Sequence, residues 1–412
     1  MTGRLQVDGA RLRSDLESLA QIGRSPSGGI DRTAFSAADG QARQWYQDRC
    51  DAAGLELRLD GLSNMFAQQA GTWSGVPAVW SGSHIDTVPD GGPLDGALGT
   101  VAALECVRRL AEAGVELARP VRAAVFADEE GNYSHLLGSY GLAHGYEAGR
   151  LATMVGRDGD RLSDALADWP WSRGEPTSTQ VDRGEIHAFV ELHIEQGPHL
   201  ETSGTAIGVV TSIVGLGGGQ LEFVGRADHA GTTPMNLRRD ALRAAADFLG
   251  RLRGLASSVS EQAVITCGLL HVEPGGANIV PRLAGLTLDY RDPDPACLSR
   301  LTDSIEHAAR ESANVHDVEY AWRPDPAIDP VPLDPGIRQV IHGAADVCGL
   351  SAVDLPSGAG HDSQNMAPLA PTGMVFVPSA GGRSHSPMEH TDFEHLEQGA
   401  NVLLETLLRL AS

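Results

Sequence analysis

The sequence predicts an α/β protein of two domains, and three observations support this prediction. Helical periodicity and short apolar runs alternate through residues 1–200, which is the rhythm of a sheet with helices on both faces. The 412 residues are more than one hydrophobic core usually serves. After the glycine run at 215–219 the order changes to strand, helix, two strands, helix and strand, a split βαβ pattern.

The first elements of the chain follow from simple signals. Leu12, Leu16 and Leu19 share one face of a helix. Ser36 is a suitable N-cap for a second helix, which Gly54 ends. The alternating leucines of 55–59 then predict a strand.

The next elements continue the alternation of strand and helix. Apolar runs at 76–80, 121–127 and 188–192 predict strands, and a helix closed by Gly114 lies between the first two. The polar segment 158–183 has no clear period and is predicted to be a helix plus a loop on the outside.

The second domain is predicted to be an insertion. Its elements are strands at 220–224, 263–270, 285–290 and 318–322 and helices at 240–254 and 297–313. The proline-rich run 323–330 is predicted to be a linker, and helix and strand patterns return after it. We therefore expect one domain at 1–212 and 328–412 and an inserted domain at 213–327.

Composition excludes some classes of partner. The chain has 31 basic and 54 acidic residues, a formal net charge of −23, which disfavours binding to nucleic acid or to an anionic membrane. Mere solubility explains the acidity equally well. No apolar stretch reaches the ~20 residues that span a bilayer, and no secretory leader is evident. The five cysteines lack paired spacing, so we expect reduced thiols and a cytoplasmic protein.

The stretch 83–96 carries the first chemical signal. It sets His84, Asp86, Asp90 and Asp95 in a glycine-rich turn after a strand. Imidazole and carboxylate together are ligands that borderline divalent metals prefer, and a carboxylate two residues from a histidine can also orient its ring. Asp90 is predicted to be only a loop residue.

Four further fragments could complete the same site. They lie at 127–131, 191–197, 357–362 and 382–389, and three of them follow or end an apolar run. A single histidine near a strand end is usually an ordinary surface or core residue. Several strands that deliver such groups to one sheet edge instead predict a metal site, and the proposed ligands are His84, Asp95, Glu130, His193 and His385.

On these motifs the chain resembles the metal-dependent amidohydrolases of the aminopeptidase-type fold. Within them it is similar to the hydantoinase/carbamoylase group of N-carbamoyl-L-amino acid hydrolases, β-ureidopropionases and allantoate amidohydrolases. The most specific string is 191–198, in which His193 stands where related peptidases carry a carboxylate. The resemblance implies an aminopeptidase-like mixed sheet with helices on both faces and an inserted α+β domain for dimerisation and lid function.

The resemblance also implies two divalent metal ions per subunit, with Zn, Mn, Co and Ni all acceptable to such ligands. Asp95 would bridge both ions, His84 and His193 would bind one of them, and Glu130 and His385 the other.

The resemblance implies further roles for residues at matching positions. Glu129 would be the general base for a metal-bridging water, and Asp86 would hold the His84 ring in place. In the inserted domain His229, in the string 225–235, would stabilise the oxyanion, commonly in the partner subunit's site.

Four residues are implied to bind the substrate. Asn278 and Arg291 match positions that hold a substrate carboxylate, and Gln196 and His361 match positions near the ureido group. A solvated arginine and a turn-forming asparagine remain alternatives for the first pair.

One departure bears on the substrate. After 129–131 most relatives carry a small residue followed by Arg-Phe, whereas this chain has Asn132, Tyr133, Ser134 and His135. The exact substrate therefore stays open.

The expected activity is hydrolysis of the carbamoyl C–N bond of an N-carbamoyl-L-amino acid or a close analogue, by a homodimer acting on a small molecule that bears a carboxylate. Aminoacylase or dipeptidase activity with the same metal pair is the alternative within enzymes. A non-catalytic binding protein is the other alternative, and it would have little need for Glu129.

Overall fold

The computed structural model of the chain describes residues 4–73 and 75–412. Its helices are α1 Gly9–Leu19, α2 Ala37–Ala52, α3 Ala97–Ala113, α4 Leu137–His144, α5 Ala148–Thr153, α6 Leu162–Ala167, α7 His199–Ser203, α8 Ala241–Val259, α9 Pro295–Val315, α10 Pro335–Cys348, α11 Ser363–Met366 and α12 Phe393–Ala411. Its strands are β1 Leu55–Leu59, β2 Met65–Gln69, β3 Ala78–His84, β4 Val121–Phe126, β5 Ile186–Ile194, β6 Ile207–Ile213, β7 Gly215–Val224, β8 Val264–Glu273, β9 Leu283–Asp292, β10 Glu319–Pro324, β11 Val331–Pro332, β12 Ala352–Ser357 and β13 Thr372–Val377.

The chain divides into two compact units, one of Met1–Thr211 with Leu333–Ser412 and one of Ser212–Pro332. The first unit contains a sheet in the order β1-β2-β4-β3-β5-β13-β6, with β12 also paired to β6. The central neighbours β4, β3, β5 and β13 run parallel, and the flanking pairs are antiparallel. The mixed sheet that the sequence predicts is therefore confirmed.

Both faces of this sheet are buried, as parallel strands require. Val79 and Val125 belong to one core, which α3 and α12 share. The alternate residues of the same strands, Trp80 and Phe126, pack with Phe189 on the opposite face. Period-two alternation in strands explains why neighbouring residues enter different cores.

Local signals set the ends of the helices. Ser36 Oγ accepts a hydrogen bond from the Asp39 amide at 3.2 Å, so α2 begins where the N-cap predicts. Gly114 ends α3 with φ 59°, a left-handed conformation that glycine adopts without strain.

The second unit is an antiparallel sheet in the order β10-β7-β9-β8 with helices α8 and α9. Its own hydrophobic core includes Phe223, Phe248, Tyr290 and Leu301. The chain order of its elements is β7-α8-β8-β9-α9-β10, which matches the predicted β-α-β-β-α-β pattern.

Some predicted details differ from the structure. Strand β3 continues to His84, and β7 begins at Gly215, so the glycine run is part of a strand. A Cβ on Gly217 would lie 2.2 Å from the Tyr290 ring, which explains why glycine packs there. The segment 158–183 is not wholly external, because Leu162 and Trp171 are buried in the cores of the first unit.

The predictions about cysteines and about membrane spans can be compared with the structure. All five cysteines are free thiols. Within residues 4–73 and 75–412, no helix combines the length and the apolar character that crossing a membrane requires.

Candidate metal centre

The candidate site lies at the carboxyl ends of four adjacent parallel strands. His84 is the last residue of β3, and Glu129 and Glu130 follow β4. His193 lies near the end of β5, and His385 lies in the loop after β13. Because parallel neighbours end at the same edge of a sheet, these strands deliver residues far apart in sequence to one place.

The backbone at this edge is unusual. Asp128, Gln196 and His385 have φ of 53°, 60° and 54°, although none is glycine. Left-handed conformations cost energy for such residues and concentrate at functional sites. Gly96 has φ 62°, and a Cβ there would lie 2.4 Å from the His84 ring, so only glycine allows the loop to approach that histidine.

Asp95 is the centre of the cluster and is buried. Its Oδ1 lies 3.5 Å from His84 Nε2 and 3.2 Å from His193 Nε2. Its Oδ2 lies 3.3 Å from His385 Nε2, which is also 3.5 Å from Glu130 Oε1. Two groups of three possible ligands therefore share one carboxylate, and the ligand atoms within each group lie within 4.8 Å of one another.

The two buried imidazoles are oriented by main-chain carbonyls. His84 Nδ1 lies 3.0 Å from the Asp86 oxygen, and His193 Nδ1 lies 2.9 Å from the Ile194 oxygen. A carbonyl oxygen only accepts, so the proton of each neutral ring is held on Nδ1. The Nε2 lone pairs then face Asp95, as in metal-binding histidines. The Gly96 amide also donates to His193 Nε2 at 3.2 Å.

The acidic groups of the cluster have altered proton affinities. Burial, followed by the Asp95 charge, raises the pKa of Glu130 to about 7. Burial also raises the pKa of Glu129 well above its usual range. Burial opposes the charge of Asp95, but hydrogen bonds from the three imidazoles in their protonated form outweigh it and hold the pKa of Asp95 well below its usual range.

The basic groups respond to the same carboxylates. Burial alone would lower the pKa of His84, but Glu129 and Asp95 outweigh it and raise that pKa well above its usual range. Asp95 raises the pKa of His385 to about 9. Carboxylates this close together repel one another unless a positive charge lies between them. In addition, Glu130 Oε1 is buried without a hydrogen-bond partner among the described residues. This nitrogen and oxygen donor set therefore fits divalent cations.

Asp86 contacts more than the His84 ring. Its carboxylate Oδ1 lies 3.8 Å from His84 Nδ1, farther than its own carbonyl oxygen. The same carboxylate accepts hydrogen bonds from the amides of Glu129 at 3.4 Å and Glu130 at 3.1 Å. Asp86 thus joins the turn after β3 to the turn after β4.

Two contacts around Asp95 were not predicted. Ser384 Oγ lies 2.8 Å from Asp95 Oδ2 and 2.7 Å from Glu389 Oε2. The buried Glu389 also accepts hydrogen bonds from the amides of Leu94 and Asp95 at 2.7 and 3.0 Å. Both residues lie in the fragment that contains His385, but nothing in that fragment indicates their partners in the turn 83–96.

The family of the chain is decided by its match to a family model. Residues 80–409 match the model of peptidase family M20/M25/M40, a span that includes the strand ends just described. The chain belongs to this M20 family. The recognition made from the motifs is therefore confirmed, and the chain is an enzyme, a hydrolase.

Relatives extend along the whole M20 chain. The N-carbamoyl-L-amino-acid amidohydrolase of Paenarthrobacter aurescens is 36% identical over 97% of both chains. The allantoate amidohydrolase of Escherichia coli K12 is 34% identical, again over 97% of both. A crystal structure of a hydantoinase/carbamoylase family amidase from Burkholderia multivorans has 33% identity and a TM-score of 0.91, and the match covers 99% of this chain and 98% of that one.

Two predicted substrate residues of this M20 enzyme lie beside the cluster. Gln196 Nε2 donates to Asp95 Oδ2 at 2.6 Å, and its buried Oε1 has no hydrogen-bond partner in the described part of the chain. The ring of His361 lies 4.6 Å from that of His193, and its Nε2 is 2.8 Å from Ser357 Oγ.

The other two, Asn278 and Arg291, lie in the second unit, as does His229. The Ala230 amide donates to the main-chain oxygen of Asn278 at 3.0 Å, which joins the His229 and Asn278 loops. His229 Nδ1 accepts from the Gly231 amide at 3.0 Å. Arg291 lies on β9, with Nε 3.1 Å from Asp289 Oδ1.

The residues that depart from the family pattern anchor the loop after Glu130. Asn132 Nδ2 donates to the Ala34 oxygen at 2.9 Å, and the Tyr133 ring packs edge-on against Phe35 at 5.6 Å. The Tyr133 hydroxyl also donates to Asp160. These contacts hold the turn that contains Glu129 and Glu130 from the outside.

Proposed function

We propose that the chain hydrolyses the carbamoyl, or ureido, C–N bond of an N-carbamoyl-L-amino acid or a close analogue. The observation that carries this proposal is the sharing of Asp95 between two groups of ligands, one of which contains His193. The names of the relatives support the same class of substrate, because they include N-carbamoyl-L-amino-acid and allantoate amidohydrolases.

In this proposal two divalent ions occupy the Asp95 cluster. His84 and His193 would hold one ion, Glu130 and His385 would hold the other, and Asp95 would bridge them. Bound there, the ions would polarise the scissile carbonyl and lower the pKa of a water. Zn, Mn, Co and Ni all suit these ligands.

Glu129 is the proposed general base. It is buried, and its Oε2 lies 3.6 Å from His84 Nε2, at the edge of the cluster. Burial raises its affinity for a proton, which suits a group that accepts one from the attacking water. The hydrogen bonds from the Glu129 and Glu130 amides to Asp86 hold the backbone from which the two carboxylates extend.

The proton would then pass from Glu129 to the leaving nitrogen as the C–N bond breaks. The products are the free amino acid and carbamic acid, which decomposes to carbon dioxide and ammonia. Gln196 and His361 are proposed to contact the ureido group, because both lie beside the cluster.

Three roles in the second unit are proposed from the resemblance. His229 would stabilise the oxyanion, and Asn278 and Arg291 would hold the substrate carboxylate. A guanidinium suits this task because it grips a carboxylate through two hydrogen bonds. We also propose a cytoplasmic location and a homodimer, of which the mass in solution would test the homodimer.

The direct test measures ammonia and free amino acid from N-carbamoyl, N-formyl and N-acyl amino acids with metal-reconstituted enzyme. Equal amounts of both products from N-carbamoyl substrates are expected. Turnover confined to N-acyl substrates, without ammonia, would instead support an aminoacylase or dipeptidase.

The role of Glu129 is tested by Glu129→Gln, which keeps the shape and removes the base. The expected loss in kcat is about 10²- to 10⁴-fold. Metal content should stay at the wild-type level, because Glu129 is not one of the proposed ligands. Nearly unchanged turnover in this variant would make the catalytic assignment wrong.

A further inference from the structure

A cavity of about 520 Å³ opens beside the Asp95 cluster. Its lining includes Gln196, Ser384 and His385, which contact Asp95, and one arginine, Arg383. Arg383 is exposed and has no role in the proposed metal or substrate contacts.

The loop that carries Arg383 is fixed on both sides. The Gly381 amide donates to Glu201 Oε2 at 2.8 Å, and Ser384 Oγ contacts Asp95 at 2.8 Å. Gly382 has φ 64°, and a Cβ there would lie 2.8 Å from the Pro198 nitrogen, so the loop packs closely on the turn after Gln196. The position of the Arg383 backbone relative to the cluster is therefore set before any ligand binds.

The guanidinium of Arg383 has no hydrogen bond or ion pair with any residue in 4–73 or 75–412. The acidic residue of the lining, Glu195, accepts hydrogen bonds from the amides of His199 and Leu200 at 2.7 and 2.8 Å. A guanidinium offers five donors and no acceptor, and its charge persists at any physiological pH. The lining thus contains a permanent positive charge that pairs directly with no carboxylate in the described part of the chain.

We propose that Arg383 binds a carboxylate on the side chain of the substrate. The preferred substrates are then N-carbamoyl derivatives of acidic amino acids. This inference rests on the proposed function, in which the α-carboxylate belongs to Asn278 and Arg291. The guanidinium of Arg383, two residues from His385, is then available to bind a second carboxylate.

The test compares N-carbamoyl-L-aspartate with N-carbamoyl-L-asparagine, which has the same shape without the charge. In the wild-type enzyme we expect kcat/KM for the aspartate derivative to be higher by about tenfold to a hundredfold, the range of one charge-assisted contact. In Arg383→Gln this ratio should fall to about one, mainly through KM. Arg383→Lys should give an intermediate ratio, because it keeps the charge and loses the planar fork.

The matched control is Arg24→Gln. Arg24 is an exposed arginine of the same unit that does not line the cavity. The Arg24→Gln substitution removes the same charge from the protein. It should keep the wild-type ratio of kcat/KM between the aspartate and asparagine derivatives. A wild-type enzyme without the preference, or Arg383→Gln that keeps it, would overturn the inference. An equal loss for both derivatives would mean that Arg383 binds the α-carboxylate, which also overturns it.

A binding measurement separates this inference from the proposed function. Glu129→Gln loaded with metal is titrated with both derivatives by calorimetry, alone and combined with Arg383→Gln. Tighter binding of the aspartate derivative that depends on Arg383 supports the inference even if the enzyme hydrolyses no N-carbamoyl amino acid. Absence of that difference overturns it, whichever bond the enzyme cleaves.

Discussion

Replacing Glu389 tests how Asp95, the centre of the candidate metal site, is held in position. The Glu389 carboxylate accepts hydrogen bonds from the amides of Leu94 and Asp95 at 2.7 and 3.0 Å and contacts Ser384 Oγ at 2.7 Å. It packs so closely that a Cβ on Gly92 would lie 2.0 Å from its carboxyl carbon. In Glu389→Ala the buried amides of Leu94 and Asp95 therefore lose their acceptor. Asp95 is the residue that is proposed to bridge both ions.

The magnitude follows from these contacts. Each buried donor left unpaired costs roughly 1–3 kcal/mol, so two of them cost about 2–6 kcal/mol. Loss of a partner that orients a metal ligand typically weakens metal binding by about 10- to 100-fold, which is about 1.4–2.8 kcal/mol. We therefore expect weaker metal binding together with lower stability of the metal-free protein.

Glu389→Gln is the matched control. Its amide oxygen can accept from both main-chain amides, and its NH₂ group can donate to Ser384 Oγ. The assays are competition with a chelator for metal affinity and urea unfolding of the metal-free protein. Weakened binding in the alanine variant and a smaller effect in the glutamine variant are expected. Wild-type metal affinity and an unchanged urea midpoint in Glu389→Ala would refute the reasoning.

Two further predictions concern the metal and the sheet. Chelation should abolish hydrolysis, and Zn, Mn, Co or Ni should restore it, because the nitrogen and oxygen ligands accept each of them; activity that survives exhaustive chelation would contradict the metal assignment. Gly82→Ala should destabilise the protein by about 3 kcal/mol or more, because its Cβ would lie 2.0 Å from the Ala124 oxygen in the paired strand. Urea unfolding measures this cost, with Gly285→Ala as the control, because Gly285 also lies in a strand but a Cβ there would have no atom within 4 Å; equal midpoints for the two variants would contradict the clash.

Much of the fold could be predicted from local patterns. Ser36 and Gly114 mark helix ends because a cap depends on a few neighbouring residues. The inserted unit was predictable because its strands alternate buried and exposed residues, as Leu286 and Leu288 show. By contrast, Trp171 lies in a segment without a period, and its burial depends on residues distant in the sequence.

The sequence by itself determined the chemistry available at the site. Histidine and carboxylate at the ends of apolar runs indicate a metal site, because strand ends expose their side chains and these groups are metal ligands. The motif around His193 also indicated the family, which the match to the family model confirms.

Only the tertiary structure decided how those groups are held. The parallel order β4-β3-β5-β13 brings the four strand ends to one edge, and Glu389 reaches an amide 295 positions away in the sequence. Asp86 accepts from the turn after β4, although its motif indicates only the His84 ring. Hydrogen bonds of this kind depend on distance in space, which a pattern along the chain does not contain, so the supporting contacts of the candidate metal site emerge only from the fold.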